Sequence, residues 1–268
     1  MRDLLVCSLA ALSVAAAFAS PAFGATMYSS GSDGSGLATF DTGTGVGSFV
    51  GSYGAGLAAG YAMTIDNASG TLYTLMDSYA NGKLATVNPI TGAATVFGAG
   101  NGIPDMMILE IANDGTMYSA SWSSNSLYKM DKTTGVASLI GPLGFSNIMD
   151  LAYDTTGTLW ATNVSALYKI NTTTGAGTFV TNLNGISGNM GITFDSSNNL
   201  FATEWGIGNS PFWEINTTTG VATVINSASG ISSPHGGDIR IPEPGSIVLA
   251  ALGLIGLAAW CWRRNHTA

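Results

Sequence analysis

The sequence predicts an all-β fold: a five-bladed β-propeller of four-stranded blades, closed by its C-terminal strand. Three observations carry this. A phrase of two apolar runs joined by a polar turn recurs along the chain, clearest in Leu127–Gly141, Leu167–Thr181 and Phe212–Asn226. The glycines that close those turns are Gly45, Gly92, Gly135, Gly175 and Gly220, so the steps are 47, 43, 40 and 45 residues. A period of that size holding several strands is the mark of propeller blades. The third observation lies at the ends of the array, where the first unit lacks one strand and a spare strand follows the last.

Each unit reads as four strands. Between the repeated phrases sits a second motif, an apolar strand, a polar turn and a short strand with an aromatic. Its copies are Ala62–Leu75, Leu109–Ala120, Leu151–Thr162 and Ile192–Thr203. In Asn171-Thr172-Thr173-Thr174-Gly175 the Asn side chain caps the turn and Gly takes the left-handed position. Thr26-Met27-Tyr28 matches Thr71-Leu72-Tyr73, so the first unit starts at its second strand. The segment His235–Ile241 occupies the place of the missing innermost strand, with Gly236–Ile241 supplying closure. An open array of the same hairpins is the alternative. Closure is favoured because it removes the free edges that invite aggregation.

Composition agrees with a β-rich, exported domain. The chain has 268 residues, of which 36 are Gly, and its only cysteines are Cys7 and Cys261. Between Ala25 and Ile241 there are 5 Lys/Arg and 14 Asp/Glu, a net of −9. An acidic surface argues against nucleic acid as a partner. With no cysteine in the domain, disulfides, zinc-thiolate sites and cysteine nucleophiles are excluded there.

The two ends read as addresses. Arg2, the apolar run Leu4–Phe18 and the small residues around Ala22-Phe23-Gly24 predict a signal peptide over 1–24, removed by signal peptidase. The domain then spans 25–241 and a tail spans 242–268. In that tail an apolar stretch over 247–262 predicts a short transmembrane helix, which about 1.5 Å per residue makes slightly shorter than a typical hydrocarbon core. Arg263 and Arg264 after it favour a cytoplasmic end, with the domain across the membrane.

Pro242-Glu243-Pro244, the apolar helix and the Arg263-Arg264 tail, in that order, resemble the PEP-CTERM sorting signal. The resemblance covers only this C-terminal segment. It implies a Gram-negative bacterium, recognition and processing by an exosortase, and transient inner-membrane anchoring with the domain on the periplasmic side. It further implies release to the cell surface or an extracellular matrix. About the activity of the cargo it implies nothing.

Candidate functional residues fall on one face. The first-to-second and third-to-fourth turns of each unit are short and stereotyped. The other connections vary in length and content, as binding loops on a rigid scaffold do. Asp77, Trp122 and Trp205 hold equivalent loop positions there, and the two tryptophans suit stacking on a sugar ring. Packing between blades is the competing assignment. His235 joins them as a ligand-binding candidate, although two following glycines read it as a loop residue. Asp105, Asp150 and Asp238 lie near the starts of innermost strands, where a ring of carboxylates suits a cation such as Ca²⁺. Met63, Met106, Met107, Met149 and Met190 are expected to fill the channel.

No catalytic constellation is legible, since the domain has a single His and no nucleophile elbow. The function expected is a non-catalytic binding module for carbohydrate or a surface protein. The alternative is a metal-assisted hydrolase or lyase using the acidic rim.

Overall fold

The computed structural model describes residues 24–239, apart from 32, 58, 59, 99 and 207. The signal peptide, the motif residues Pro242, Glu243, Pro244, Arg263 and Arg264, and the helix over 247–262 lie outside the described residues.

Among the described residues, twenty strands form five four-stranded antiparallel sheets. The first blade holds β1 (Thr26–Gly31), β2 (Gly36–Asp41) and β3 (Gly47–Ser52). The second holds β4 (Thr64–Asp66), β5 (Thr71–Met76), β6 (Lys83–Val87) and β7 (Ala94–Val96). The third holds β8 (Met106–Ile111), β9 (Met117–Ser121), β10 (Ser126–Met130) and β11 (Ala137–Pro142). The fourth holds β12 (Ile148–Tyr153), β13 (Leu159–Asn163), β14 (Ala166–Ile170) and β15 (Gly177–Asn182). The fifth holds β16 (Asn189–Phe194), β17 (Leu200–Glu204), β18 (Phe212–Ile215) and β19 (Ala222–Asn226). The last strand, β20 (His235–Ile239), returns to the first blade as its innermost member. It pairs antiparallel with β1 through Met27↔Ile239 and Tyr28↔Asp238.

The repeated turns form as their chemistry demands. Oδ1 of Asn171 accepts the N–H groups of Thr173 and Thr174 at 2.9 and 3.1 Å, and Gly175 closes the turn at φ +82°. Asp131 and Asn216 repeat the same pair of bonds in their blades.

The apolar core is divided into five clusters, one at each junction between blades. Tyr53, Met63, Ile65 and Leu72 meet Leu37 between the first and second blades. Met27, Phe40 and Ile239 meet Phe201 and Phe212 where the fifth blade returns to the first. There Phe40 stacks on Phe212 with ring centroids 5.2 Å apart. Each strand of the inner layers is covered on both faces by neighbouring blades, which explains its nearly continuous apolar reading.

Polar latches cross three of these junctions at the innermost strands. Oδ2 of Asp238 in β20 accepts the Ile65 N–H of β4 at 2.9 Å and the Thr64 hydroxyl at 3.0 Å. Oε1 of Glu110 in β8 accepts the Tyr153 N–H of β12 at 2.8 Å. Oδ2 of Asp150 in β12 accepts the Ile192 N–H of β16 at 2.8 Å. An inner strand at the channel has a free ladder edge, and these carboxylates satisfy donors on it that would otherwise be orphaned. All three are buried. Burial pushes Asp238 from the ordinary 3.8 up to about 6. Burial, then the neighbouring Asp238 charge, raises Glu110 well above the carboxylate range, and burial raises Asp150 likewise.

The closing strand and the latches each generate a test. Removing His235–Ile239 strips β1 of its partner, and the unfolding midpoint is expected to fall by more than about 10 °C. An unchanged melt would refute closure. The latches set the pH dependence. A carboxyl whose folded pKa lies above its unfolded value gives stability that is complete below the unfolded pKa and is lost as pH rises through the folded one. For Asp238 that window runs from 3.8 to about 6, and the effect is about 3 kcal/mol. The unfolding midpoint should therefore drop between pH 4 and pH 7, and Asp238→Asn should flatten the slope. A midpoint that climbs over that interval would contradict it.

Candidate functional site

Five side chains, one from each blade, ring the mouth of the channel on the variable-loop face. The register identifies them. Met27, Leu72, Met117, Leu159 and Leu200 hold equivalent places on the second strands and pair with Ile239, Ile65, Ile111, Tyr153 and Phe194. The residues four positions before those partners are His235, Tyr61, Met107, Met149 and Met190. All five line one cavity of about 300 Å³. In three blades the ring residue is a bulge: the register shifts between Met106 and Ile108, Ile148 and Asp150, and Asn189 and Gly191. A bulged residue has no ladder partner and its side chain is re-aimed, here into the cavity.

The outer wall is aromatic with one carboxylate. Tyr79, Asp105 and Trp122 line it. The Asp105 N–H donates to the Tyr79 carbonyl at 3.3 Å, and the Trp122 N–H donates to the Asp105 carbonyl at 2.8 Å. That chain of backbone bonds ties a loop of the second blade to the third. Tyr61 sets its ring edge-on to both Tyr79 and His235, at 5.2 and 4.6 Å.

His235 at the mouth is perturbed by its surroundings. Burial pushes its imidazole down to about 4, against the opposing pull of nearby Asp33. Nε2 sits 3.6 Å from Asp33 Oδ1, beyond hydrogen-bond reach, and is buried without a partner. The ring is therefore neutral at pH 7, with one nitrogen lone pair available. Behind it, Gly236 at φ +59° leaves room for the next blade, since a Cβ there would meet the Met63 N at 2.9 Å.

The expected residues separate into groups. Asp105, Trp122 and His235 come together at this cavity. His235 is a correction to the loop assignment: it opens β20, and the glycines after it serve close approach within the ring. Trp205 lies elsewhere on the same face, 50% exposed, its N–H donating to the Gly188 carbonyl at 2.7 Å. Trp122 is 42% exposed, so neither tryptophan is packed away between blades. Asp77 stands in its loop at φ +56°, with Lys83 at 3.5 Å. Asp105, Asp150 and Asp238 do not gather at one point, because the latter two face the amides of neighbouring strands. Among the described residues, no group of three or more His, Cys, Asp or Glu side chains is arranged to hold a metal ion. The methionines divide too. Met63 and Met106 are buried in the junctions between blades, which corrects their placement in the channel.

Sequence reasoning missed Tyr61, Tyr79 and Glu110. Tyr61 was within reach, because it falls on the same aligned column as Met107, Met149, Met190 and His235. Tyr79 and Glu110 carry no signal of their own in the sequence.

Comparisons with known proteins agree with this geometry. Among solved structures, the chain is similar to one in a nidogen–laminin complex, with 10% identity over 81% of this chain and 99% of that one, at a TM-score of 0.55. A symmetrical protein described under de novo evolutionary emergence shaped by folding constraints matches at 16% identity, over 82% and 100% of the two chains, with a TM-score of 0.52. A protein of unknown function from Bacteroides thetaiotaomicron matches at 11% identity, over 82% and 65%, with a TM-score of 0.54. At these identities the likeness is one of fold alone. No curated protein matches the sequence. Residues 240–264 match the PEP-CTERM protein-sorting motif, which implies export, exosortase processing and sorting to the cell surface. Residues 24–238, most of the chain, match a repeat of unknown function, and the protein thus belongs to the DUF6923 repeat family.

Proposed function

We propose that this is an exported interaction module, held on the periplasmic side of the inner membrane by its C-terminal helix until an exosortase processes it. At the cell surface or in the extracellular matrix its loop face binds polysaccharide or a surface protein, without catalysis. One observation supports this most directly: Trp122 and Trp205 stand 42% and 50% exposed on the variable-loop face. Large aromatic surfaces left in water on a rigid scaffold suit stacking against sugar rings or a partner's side chains. The opposite face offers short capped turns of one repeated design.

The apolar cavity at the channel mouth adds depth to that surface, and Trp122 belongs to both. Asp77, with its carboxylate partly in solvent beside Lys83, supplies a polar contact at the rim. The acidic domain suits neutral sugars better than nucleic acid.

Binding of the purified protein to matrix polysaccharides, read on a glycan array and by tryptophan fluorescence, tests the proposal. Trp122→Ala and Trp205→Ala should each weaken binding about tenfold, a loss of about 1.4 kcal/mol that is ordinary for truncating an aromatic anchor, while leaving the melt unchanged. Retained binding in the double variant would remove the loop face from consideration.

A further inference from the structure

We propose that the channel mouth is a site for a soft monovalent metal ion, Cu(I), held by the thioethers of Met107, Met149 and Met190 with the imidazole of His235. The inference goes beyond the surface reading: it concerns the throat beneath the rim and does not depend on what the loops bind.

The first ground is placement. These four side chains come from four consecutive blades around the ring, at one register of the innermost strands, and line one cavity. Three of them are bulged residues, released from the strand ladder and directed at the cavity. Core-filling methionines look different in this molecule. Met27, Met63, Met76 and Met106 are at most 2% exposed and are packed among other apolar side chains.

The second ground is donor chemistry. Thioether sulfur is a neutral, polarizable donor that favours Cu(I), and imidazole accompanies it well. Hard cations such as Ca²⁺ require several oxygen ligands, and one carboxylate, Asp105, faces the cavity. His235 is ready for the role. Its Nε2 is buried, 3.6 Å from Asp33 Oδ1 and without a hydrogen-bond partner. The domain's net of −9 draws cations to the molecule.

The third ground is size and surroundings. A cavity of about 300 Å³ gives the flexible methionine side chains room to converge on an ion. Tyr61, edge-on to His235 at 4.6 Å, and Trp122 complete the wall of the site with aromatic rings.

The test is competition for Cu(I) against bicinchoninate under anaerobic, ascorbate-reduced conditions, with Ag(I) as a redox-inert check. One equivalent of Cu(I) is expected to move from the chelator to the protein. X-ray absorption should show sulfur scatterers with nitrogen. Met→Leu changes preserve volume, so the variants should fold, and the melting midpoint verifies this. Each of Met107→Leu, Met149→Leu and Met190→Leu should weaken Cu(I) binding about tenfold, and the triple variant should abolish it. The buried-methionine control Met63→Leu should leave it unchanged. Cu(I) that stays with bicinchoninate overturns the proposal. So does a folded triple variant that still takes the ion, or a spectrum showing oxygen and nitrogen scatterers without sulfur.

Discussion

The structure depends on how the innermost strands satisfy their exposed ladder edges. Five strands converge at the channel, and each offers the axis a row of backbone donors with no further strand to pair. Buried carboxylates answer part of this need, reaching from Asp238, Glu110 and Asp150 to the amide groups of the next blade. Each such bond joins two blades across their apolar contact. It thereby fixes the rotation of one blade against the next, which the apolar clusters alone specify loosely. The carboxyls are raised in pKa because they are out of water, so they take up a proton at a higher pH than an exposed carboxyl does. Thr64 lies between Asp238 and Glu110, at 3.0 and 3.5 Å, and its hydroxyl serves the first of them more closely.

The fold was legible because its signals are local and repeated. A capped turn needs only an Asx and a Gly four residues after it, and five copies of it set the count. The closing strand was legible as a register argument: β1 aligned with second strands elsewhere, so an innermost strand had to come from the far end. The end of β20 differs from the expectation only in that residues past Ile239 are outside the described ones. By contrast, the latches could not be read. A carboxylate in an apolar strand looks the same in sequence whether it faces a channel, an ion or a neighbour's amide. That ambiguity is why Asp150 and Asp238 were grouped with Asp105 as cation ligands. In the folded ring the first two are turned onto backbone, and Asp105 alone stands at the cavity.

The methionines show a subtler limit. Met106 and Met107 are adjacent, and strand alternation alone would turn them to opposite faces of the sheet, toward the two neighbouring blades. Which one faces where depends on the bulge, and a bulge shifts the alternation by one residue without any change in composition. Counting back from the paired position resolves it, because the pairing with Met117, Leu159 and Leu200 is fixed downstream of the bulge. The same count brings His235 and Tyr61 onto the column. The pattern was thus present in the sequence, but only a known register exposes it.

A ring built from repeats has identical demands at identical positions, so departures from identity mark where something other than folding sets the residue. At the capped turns the units agree, since Asx and Gly are required by geometry. In the column of Asp238 they differ as Asp238, Thr64, Glu110, Ala152 and Thr193, the two acidic members each bond a neighbouring strand, and the fourth blade's latch, Asp150, stands two residues earlier. At the mouth column they read His, Tyr, Met, Met and Met. Packing would be served there by any medium-sized apolar side chain, and Leu, Ile and Val are plentiful in the adjoining strands. A buried neutral imidazole without a partner costs free energy that an apolar residue would not. Its presence beside three thioethers, on a column that packing leaves free, is the feature that folding requirements do not account for.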